Sequence, residues 1–332
     1  MLSHASLERQ ITGILAVWGI AGEAQLTPVS GGTLNWNFEV RAASRRYFLR
    51  CYRSNLETER IEGEHRLLEW AAARGIPLAP TIPLPGGRTL HLAGEHRWAL
   101  FPWLEGATVE RGQLSRAQAR ALGEAHGRVH SVLSAHPDSG SATFTMRWDK
   151  QQSMEALQHL LSVGAERGSE GWILEGIARQ LRQLEAAEVS PPEHFAALPC
   201  QLLHGDFHDQ QVLFKGDRVT AVVDWEIWHT DPRSWELVRS LAFSRLLDSP
   251  LLEDYLAGYR EHVQPSEEEL QLALTLWFQS RPVGLWVWWA YLKDANERVK
   301  EFFPSMLAEL DLVTDDRWTT SIRDRVRRFN AT

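Results

Sequence analysis

Residues 204–224 constrain the fold of this chain more than any other segment. A His-Gly-Asp loop leads into two apolar runs, 211–214 and 219–223, which a Lys-Gly-Asp turn separates. Short runs rich in β-branched residues on either side of a turn predict a β-hairpin. Three polar side chains flank this hairpin: Asp206, Gln211 and Asp224. The segment therefore predicts two carboxylates and one amide held at strand ends.

Two carboxylates and an amide in this order are the groups that phosphoryl transfer needs. One Asp accepts the proton of a substrate hydroxyl, while a second Asp and an amide oxygen hold magnesium against the phosphates of ATP. Gln211 lies five positions after Asp206, and Asp224 lies 18 positions after it. We therefore expect Asp206 to be the catalytic base and Gln211 and Asp224 to be ligands of Mg²⁺.

Several of these residues also have an ordinary structural interpretation. His204 is expected to be a core histidine that holds the loop by hydrogen bonds, and Asp206 alone can cap a turn. Asp231 is expected to cap a helix whose first residue is Pro232. Only the joint occurrence of the three polar groups, in this order, favours a kinase.

At these residues the chain resembles the aminoglycoside phosphotransferase and choline kinase-like family, over roughly residues 25–245. That family usually has His-Gly-Asp, four further residues and Asn, whereas this chain has Gln211 at the place of the Asn. Gln keeps the amide oxygen but adds a methylene, so the metal or the strand must shift to preserve octahedral distances. Bacterial maltokinases are similar in carrying Gln there. Glu226, where protein kinases have Gly, is a second departure that choline kinases and maltokinases share.

The resemblance implies an α+β, two-lobed protein kinase-like fold. The small N-terminal lobe would contain an antiparallel sheet, and the larger C-terminal lobe would be mostly helical. We expect residues 1–102 to form the nucleotide-binding lobe and residues 103–332 to form the catalytic and substrate-binding lobe. A chain of 332 residues that is 44% hydrophobic can bury two such cores.

The N-terminal half has a predicted hairpin over residues 29–40 and 45–52. The family has Gly-Gly-x-x-Asn in its first strand, and Gly31, Gly32 and Asn35 match that pattern. Glycine lets backbone amides approach a triphosphate closely. A Gly-Gly pair by itself is usually an ordinary turn, so the match gains its weight from the resemblance.

The resemblance also implies a cation on the next strand that binds the α- and β-phosphates, and an acidic partner on the following helix. Arg50 is the matching cation, and its forked guanidinium can serve phosphate oxygens. Glu64, on a helix predicted over residues 57–74, is the expected partner, with Glu57 and Glu62 as alternatives.

The apolar segment 98–106 is expected to be the hinge that offers backbone groups to adenine. Phe101, Trp103 and Leu104 are the expected contacts there. Leu213 and Val223 are expected to form the apolar floor under the ring, although both are equally good core residues.

Composition limits the classes of partner. The formal net charge of −8, without a long basic run, disfavours nucleic acid. Two isolated cysteines suit a reducing cytoplasm. The apolar stretch 13–20 is too short to span a bilayer, and residues 6–19 are predicted to form an amphipathic helix. We therefore expect a cytoplasmic protein without a membrane partner, and the sequence leaves its oligomeric state unknown.

Helices are predicted over residues 148–188 and in the tail 251–329. The tail carries an aromatic cluster: Trp277, Trp286, Trp288, Trp289 and Tyr291. Core packing is the favoured interpretation, and a wall for a sugar or a cationic amine is the other. Four acidic residues nearby can attract a polyamine, although such charges are usually solvated: Asp294, Glu297, Glu301 and Asp311.

These features predict an ATP-dependent phosphotransferase that acts on a hydroxyl of a small molecule, of aminoglycoside, amino alcohol or sugar type. A protein Ser/Thr kinase is one alternative. The seven positions from Asp224 to Asp231 leave little room for a peptide-binding activation segment. A catalytically silent nucleotide-binding regulator is the alternative from another class.

Overall fold

The computed structural model describes most of the chain: residue 11 and residues 13–20, 22–29, 35–42, 44–53 and 56–330. The chain divides into two compact units. The first comprises Met1–Glu110 and Gln210–Trp228, and the second comprises Arg111–Asp209 and His229–Thr332. The chain therefore returns to the first unit for one short segment. The functional boundary expected after residue 102 stays a prediction.

A five-stranded sheet forms the first unit, in the order β1-β2-β3-β5-β4 with antiparallel neighbours. Its strands are β1 (Ala24–Pro28), β2 (Trp36–Ala42), β3 (Arg45–Tyr52), β4 (His91–Ala93) and β5 (His96–Pro102). Strands β2 and β3 form the predicted hairpin, with Ala42 opposite Arg45. Apolar residues at alternate positions of β2, β3 and β5 share one buried core, including Phe38, Leu49 and Trp98.

Helix α1 (Thr58–Ala72) follows β3, close to the predicted bounds, and buries apolar residues at helical spacing. Of the helix predicted over residues 6–19, the structure has residues 11 and 13–16 in helical conformation. Ile14 and Leu15 pack in the core of the sheet. Residues 6–10 and 12 lie outside the described residues.

Two further sheets, each of two strands, are described. Their strands are β6 (Cys200–Leu203), β7 (Val212–Lys215), β8 (Arg218–Val222) and β9 (His229–Pro232). Strands β7 and β8 pair antiparallel in the first unit, so the hairpin predicted after the His-Gly-Asp loop is confirmed. Strands β6 and β9 pair antiparallel in the second unit.

The second unit is mostly helical. Its helices are α2 (Arg116–Leu133), α3 (Lys150–Glu166), α4 (Gly171–Ala186), α5 (Arg233–Phe243), α6 (Leu252–Tyr259), α7 (Glu267–Val283), α8 (Trp286–Leu292), α9 (Phe303–Val313) and α10 (Asp316–Asn330). The helices predicted over residues 148–188 and in the tail are thus confirmed. In the part of the chain that is described, no helix is long and apolar enough to cross a membrane.

Asp231 does not cap helix α5, so that prediction is wrong. The N-cap position is Pro232, which makes no side-chain capping bond. Asp231 lies in β9 opposite Gln201, and its Oδ2 is 3.0 Å from His229 Nε2. Strand pairing keeps Asp231 in the ladder, one residue before the position from which a side chain can cap.

The predicted tryptophan cluster divides between core and surface. Trp277 and Trp288 are buried, at 1% and 0% exposure, and Trp288 packs with residues of α3, α4 and α9. Trp286 and Trp289 are 59% and 43% exposed. Core packing therefore accounts for Trp277 and Trp288, Tyr291 is partly buried against the same core as Trp288, and the other two members lie at the surface.

Candidate active site

The β7–β8 hairpin brings Gln211 and Asp224 to the same end of one structure. Val212 pairs with Val222, and the Val223 amide donates to the Gln211 carbonyl at 2.9 Å. Asp224 follows directly, so the backbones of the two predicted metal ligands lie at the same open end of the hairpin. The backbone φ of Asp224 is 64°, which lies in the left-handed region that most residues avoid and Asp tolerates. Such conformations cluster at functional sites.

Arg50 connects this end of the hairpin to the sheet. Its Nη2 donates to Asp224 Oδ1 at 3.1 Å, and its Nε donates to Asn37 Oδ1 at 3.2 Å. Its Nη1 is 3.9 Å from Glu64 Oε1 on α1. The structure thus places Arg50 beside Glu64, the partner expected from the resemblance, and beside Asp224, which the sequence had not linked to it. Asn37 was missed, although it lies directly opposite Arg50 in the β2–β3 register.

The charges around Arg50 are unequal in strength. Burial opposes the guanidinium charge, but the carboxylates of Asp224 and Glu64 outweigh it, so the pKa of Arg50 lies above its ordinary value. Burial raises the pKa of Glu64 to about 8, although the charge of Arg50 acts against that rise. Asp224 is therefore the nearer carboxylate partner of Arg50, and the protonation that burial favours makes Glu64 a weaker one.

Asn35 and Glu226 join the start of β2 to the segment after Asp224. Asn35 Nδ2 donates to Glu226 Oε2, and Asn35 Oδ1 accepts from the Arg53 amide at 3.0 Å. Glu226 is 7% exposed. The residue in place of the protein kinase Gly therefore anchors the segment that carries Asp224. Gly31 and Gly32, from the same motif as Asn35, lie outside the described residues.

The expected adenine contacts lie at the end of β5 and on the hairpin. Phe101 is buried, while Trp103, Leu104, Leu213 and Val223 are partly buried. The Trp103 amide donates to the Arg46 carbonyl at 3.4 Å, and the Arg46 guanidinium lies 4.4 Å over the Trp103 ring. The roles of these residues toward adenine stay predictions.

Gly106 allows the segment after β5 to pass close to the β7–β8 hairpin. A Cβ there would lie 3.0 Å from Leu213 Cβ and 2.6 Å from Thr220 Oγ1. Ala107 and Phe214 then exchange two backbone hydrogen bonds, at 3.0 and 2.8 Å. This close approach places Trp103 and Leu104 on a segment that is bonded directly to the hairpin.

Asp206 lies in the second unit, on the loop after β6. Its amide donates to Nδ1 of the fully buried His204 at 3.1 Å, which fits the structural role expected for that histidine. Arg239 Nη2, on α5, donates to Asp206 Oδ1, and His208 Nε2 lies 3.7 Å from the same oxygen. Burial opposes ionisation of Asp206, but Arg239 and His208 outweigh it and hold its pKa well below the ordinary value. Arg239 was missed by the sequence analysis.

Glu236 supports the loop that carries Asp206. Its Oε1 accepts a hydrogen bond from the Gly205 amide at 2.5 Å, and its Oε2 lies 2.8 Å from His130 Nε2 and 3.5 Å from His126 Nε2. The three side chains are fully buried. Burial would raise the pKa of Glu236, but the two histidines outweigh it and hold that pKa well below its ordinary value. A buried, ionised carboxylate therefore fixes the amide next to Asp206.

Two tyrosines complete this network. His126 Nδ1 lies 2.6 Å from the Tyr255 hydroxyl, and His130 Nδ1 lies 2.8 Å from the Tyr259 hydroxyl. Burial, more than the charge of His130, lowers the pKa of His126 to about 3. The two histidines and Glu236 carry atoms that can also ligate a metal. Each ring nitrogen of the two histidines already faces a polar protein atom.

Glycines set the distance at which helices α2 and α6 pack. A Cβ at Gly123 would overlap the Tyr255 carbonyl, and a Cβ at Gly127 would overlap the Tyr259 carbonyl. The two backbones are therefore in contact, which brings the tyrosine hydroxyls to the histidines of α2.

Comparisons with known proteins agree with these observations. A family model described as "Phosphotransferase enzyme family" matches residues 25–272. A homoserine kinase of Methylobacterium nodulans is 25% identical over 232 residues, which are 69% of this chain and 67% of that protein. A homoserine kinase of Zymomonas mobilis is 21% identical over 269 residues, 79% of this chain and 80% of that protein.

A solved structure of spectinomycin phosphotransferase, in complex with ADP and spectinomycin, has a similar fold. It gives a TM-score of 0.60 at 13% sequence identity and covers 96% of this chain and 98% of its own. The predicted two-lobed, α+β, protein kinase-like fold class is confirmed.

Proposed function

Because the chain belongs to the phosphotransferase enzyme family and its curated relatives are kinases of a small molecule, we propose that it uses ATP and Mg²⁺, with Asp206 as the catalytic base. The predicted small-molecule phosphotransferase activity, with a hydroxyl group as acceptor, is confirmed by these relatives. The individual residue roles, the donor and the metal are our proposal. The observation that carries it is that the Asp224–Arg50 ion pair and the backbone of Gln211 lie at one end of the β7–β8 hairpin.

The hairpin end offers donors of the kind that Mg²⁺ prefers. Carboxylate and amide oxygens are hard ligands, and Asp224 and Gln211 supply one of each from neighbouring positions. The Asp224 side chain is 36% exposed, so a hydrated ion can reach it. When bound, Mg²⁺ would neutralise charge on the β- and γ-phosphates. The ADP bound to spectinomycin phosphotransferase supports a nucleotide as donor.

Arg50 is proposed to hold the phosphates that lie beside Asp224. Its side chain is 9% exposed, and its guanidinium is oriented by bonds to Asn37 and Asp224. A guanidinium fixed in this way loses little freedom when it contacts a phosphate. Glu64, whose pKa is raised to about 8 by burial, adds little negative charge near neutral pH, so Asp224 is the main carboxylate partner of Arg50.

Asp206 is proposed to orient the acceptor hydroxyl and to accept its proton. Its low pKa keeps it ionised across the neutral range, so it accepts a hydrogen bond at every turnover. Glu236 and His204 hold the loop around it through the Gly205 and Asp206 amides. Positioning by a rigid loop is a large part of catalysis in phosphoryl transfer.

The acceptor is tested by turnover with a panel of hydroxyl compounds. Release of ADP is measured with Mg²⁺ and ATP in the presence of L-homoserine, spectinomycin, 1-amino-2-propanol or glucose. We expect magnesium-dependent ADP release that requires one of these acceptors. Nucleotide binding without acceptor-dependent release for any compound would instead favour a silent regulator.

A further inference from the structure

Arg239 has more hydrogen-bonding capacity than Asp206 uses. Its side chain is 12% exposed, its Nη2 donates to Asp206, and its guanidinium lies 4.5 Å from the centre of the Phe243 ring. Among the residues that the structure describes, none accepts a hydrogen bond from the buried Arg239 Nη1. A buried donor without an acceptor is costly, and native proteins seldom leave one.

Arg281, on α7, repeats this pattern beside Arg239. Its guanidinium lies 3.9 Å over the Trp277 ring, and that ring packs against Phe243 at 5.6 Å. The two arginines therefore cover neighbouring rings of one aromatic pair. Within the described chain, the buried Arg281 Nε has no acceptor either. Glu309 Oε2 lies 3.6 Å from Arg281 Nη1, which is beyond a hydrogen bond.

The balance of charge in this cluster favours an additional anion. Burial lowers the pKa of Arg281 to about 10 even though Glu309 opposes that change. Burial also raises the pKa of Glu309, despite the opposing charges of Arg281, Arg111 and Arg239. The carboxylate of Glu309 lies beyond hydrogen-bond distance of Arg281, and Asp206 is shared between Arg239 and His208.

We propose that Arg239 and Arg281 bind a carboxylate of the phosphate acceptor, which is then a small hydroxy acid or hydroxy amino acid. The inference rests on the proposed function, because it concerns the acceptor of that reaction. Arg239 already contacts Asp206, so a carboxylate held beside the same guanidinium would place the hydroxyl of a short acceptor near Asp206. Guanidinium forks match the two oxygens of a carboxylate.

The same residues argue against a cationic acceptor at this position. A cation would need the exposed faces of aromatic rings, but guanidinium groups already occupy a face of Phe243 and of Trp277. Two of the four acidic residues considered for binding a polyamine already form ion pairs within the protein. Asp311 contacts Arg179, and Glu297 lies 3.0 Å from Lys300.

The test compares acceptors that differ only in the carboxylate. Steady-state kinetics are measured with L-homoserine and L-homoserinamide, and with 4-hydroxybutanoate and 4-hydroxybutanamide. We expect the carboxylates to have kcat/KM values about 10–100-fold above those of the amides. In Arg281→Met, which keeps apolar contact with Trp277, this ratio should fall toward one while the KM for ATP stays unchanged. Arg182→Met, at an exposed position of α4, should keep the wild-type ratio.

A second readout separates this inference from the proposed reaction. Binding of L-homoserine and 4-hydroxybutanoate is followed by calorimetry with Mg²⁺ and a non-hydrolysable ATP analogue, using wild type, Arg281→Met and Arg281→Lys. If the two carboxylates bind and Arg281→Met weakens that binding, the inference is supported even when no phosphate is transferred. In that case only the proposed reaction fails. Preference for amide or cationic acceptors, or failure of both carboxylates to bind and to react, overturns it. An increased KM for ATP in Arg281→Met, at an unchanged acceptor ratio, would assign the anion to the nucleotide and also overturns it.

Discussion

The hairpin end with Asp224 and the loop with Asp206 hold their carboxylates in different ways. Asp224 is partly exposed, has a left-handed backbone and is oriented mainly by one ion pair with Arg50. Asp206 lies on a loop whose neighbouring amide is bound by Glu236, in a network that is fully buried. The proposed metal-binding region therefore depends on an ion pair that a ligand can exchange, and the proposed base depends on a buried, hydrogen-bonded support. Variants of the two regions should therefore fail in different assays.

The largest effect is expected at Asp206. Asp206→Asn keeps the shape of the side chain but removes the proton acceptor, so phosphoryl transfer should fall by about 10²–10⁴-fold. Turnover is measured at saturating ATP with the preferred acceptor of the wild type. Activity within threefold of wild type would show that Asp206 is not the base.

Substitution of Glu236, which supports the loop that carries Asp206, should lower the stability of the protein. Glu236→Gln removes a buried charge that His130 and the Gly205 amide contact, and we expect a loss of about 1–3 kcal/mol in the free energy of unfolding. Urea denaturation measures this change. Glu175→Gln, at an exposed ion pair on α4, is the matched control. Equal free energies of unfolding for the two variants would show that Glu236 does not stabilise the loop that carries Asp206.

Gln211 tests the metal-binding region. Gln211→Asn should retain activity, because the amide oxygen remains, while Gln211→Ala should raise the magnesium concentration for half-maximal rate by about tenfold. A magnesium titration of both variants decides the matter. Wild-type magnesium dependence in Gln211→Ala would show that Gln211 is not a ligand.

The smallest effect concerns Glu64 and pH. Its folded-state pKa of about 8 exceeds the ordinary value of 4.5, so the unfolded chain loses this proton first as the pH rises. Stability from the protonated Glu64 is therefore complete below pH 4.5 and is lost progressively as the pH rises to about 8. Glu64→Gln should gain stability relative to wild type across that window. The gain is measured as the difference in melting temperature between Glu64→Gln and wild type at the two ends of this pH window. Glu69→Gln, at an exposed position, is the control. A difference that does not change with pH would contradict the prediction.

The sequence predicted what depends on local spacing. The hairpin, its approximate bounds and the placement of Gln211 and Asp224 at its open end follow from residues that are close in the chain. The pairing of Arg50 with Glu64 was predicted from the family resemblance. No local spacing in the sequence pairs a residue of β3 with a residue of α1.

Contacts between distant residues could not be predicted in this way. His126 and Tyr255 are 129 residues apart, and Arg239 is 33 residues from Asp206. Gly123 and Gly127, and Tyr255 and Tyr259, share a four-residue spacing that indicates one helix face each, but no local pattern pairs the two faces. The Asp-Pro sequence predicts a helix cap at Asp231. Its pairing with β6 depends on the tertiary fold and could not be predicted from that local pattern.

Calorimetric titration of Mg-ATP into Asp206→Asn and Asp224→Ala tests the division between the two regions most directly. Asp206→Asn should bind Mg-ATP with wild-type affinity, because the proposed role of Asp206 is toward the acceptor. Asp224→Ala should lose the magnesium-dependent part of that affinity, because its carboxylate holds the ion. Unchanged Mg-ATP binding in Asp224→Ala, or strongly weakened binding in Asp206→Asn, would contradict the account.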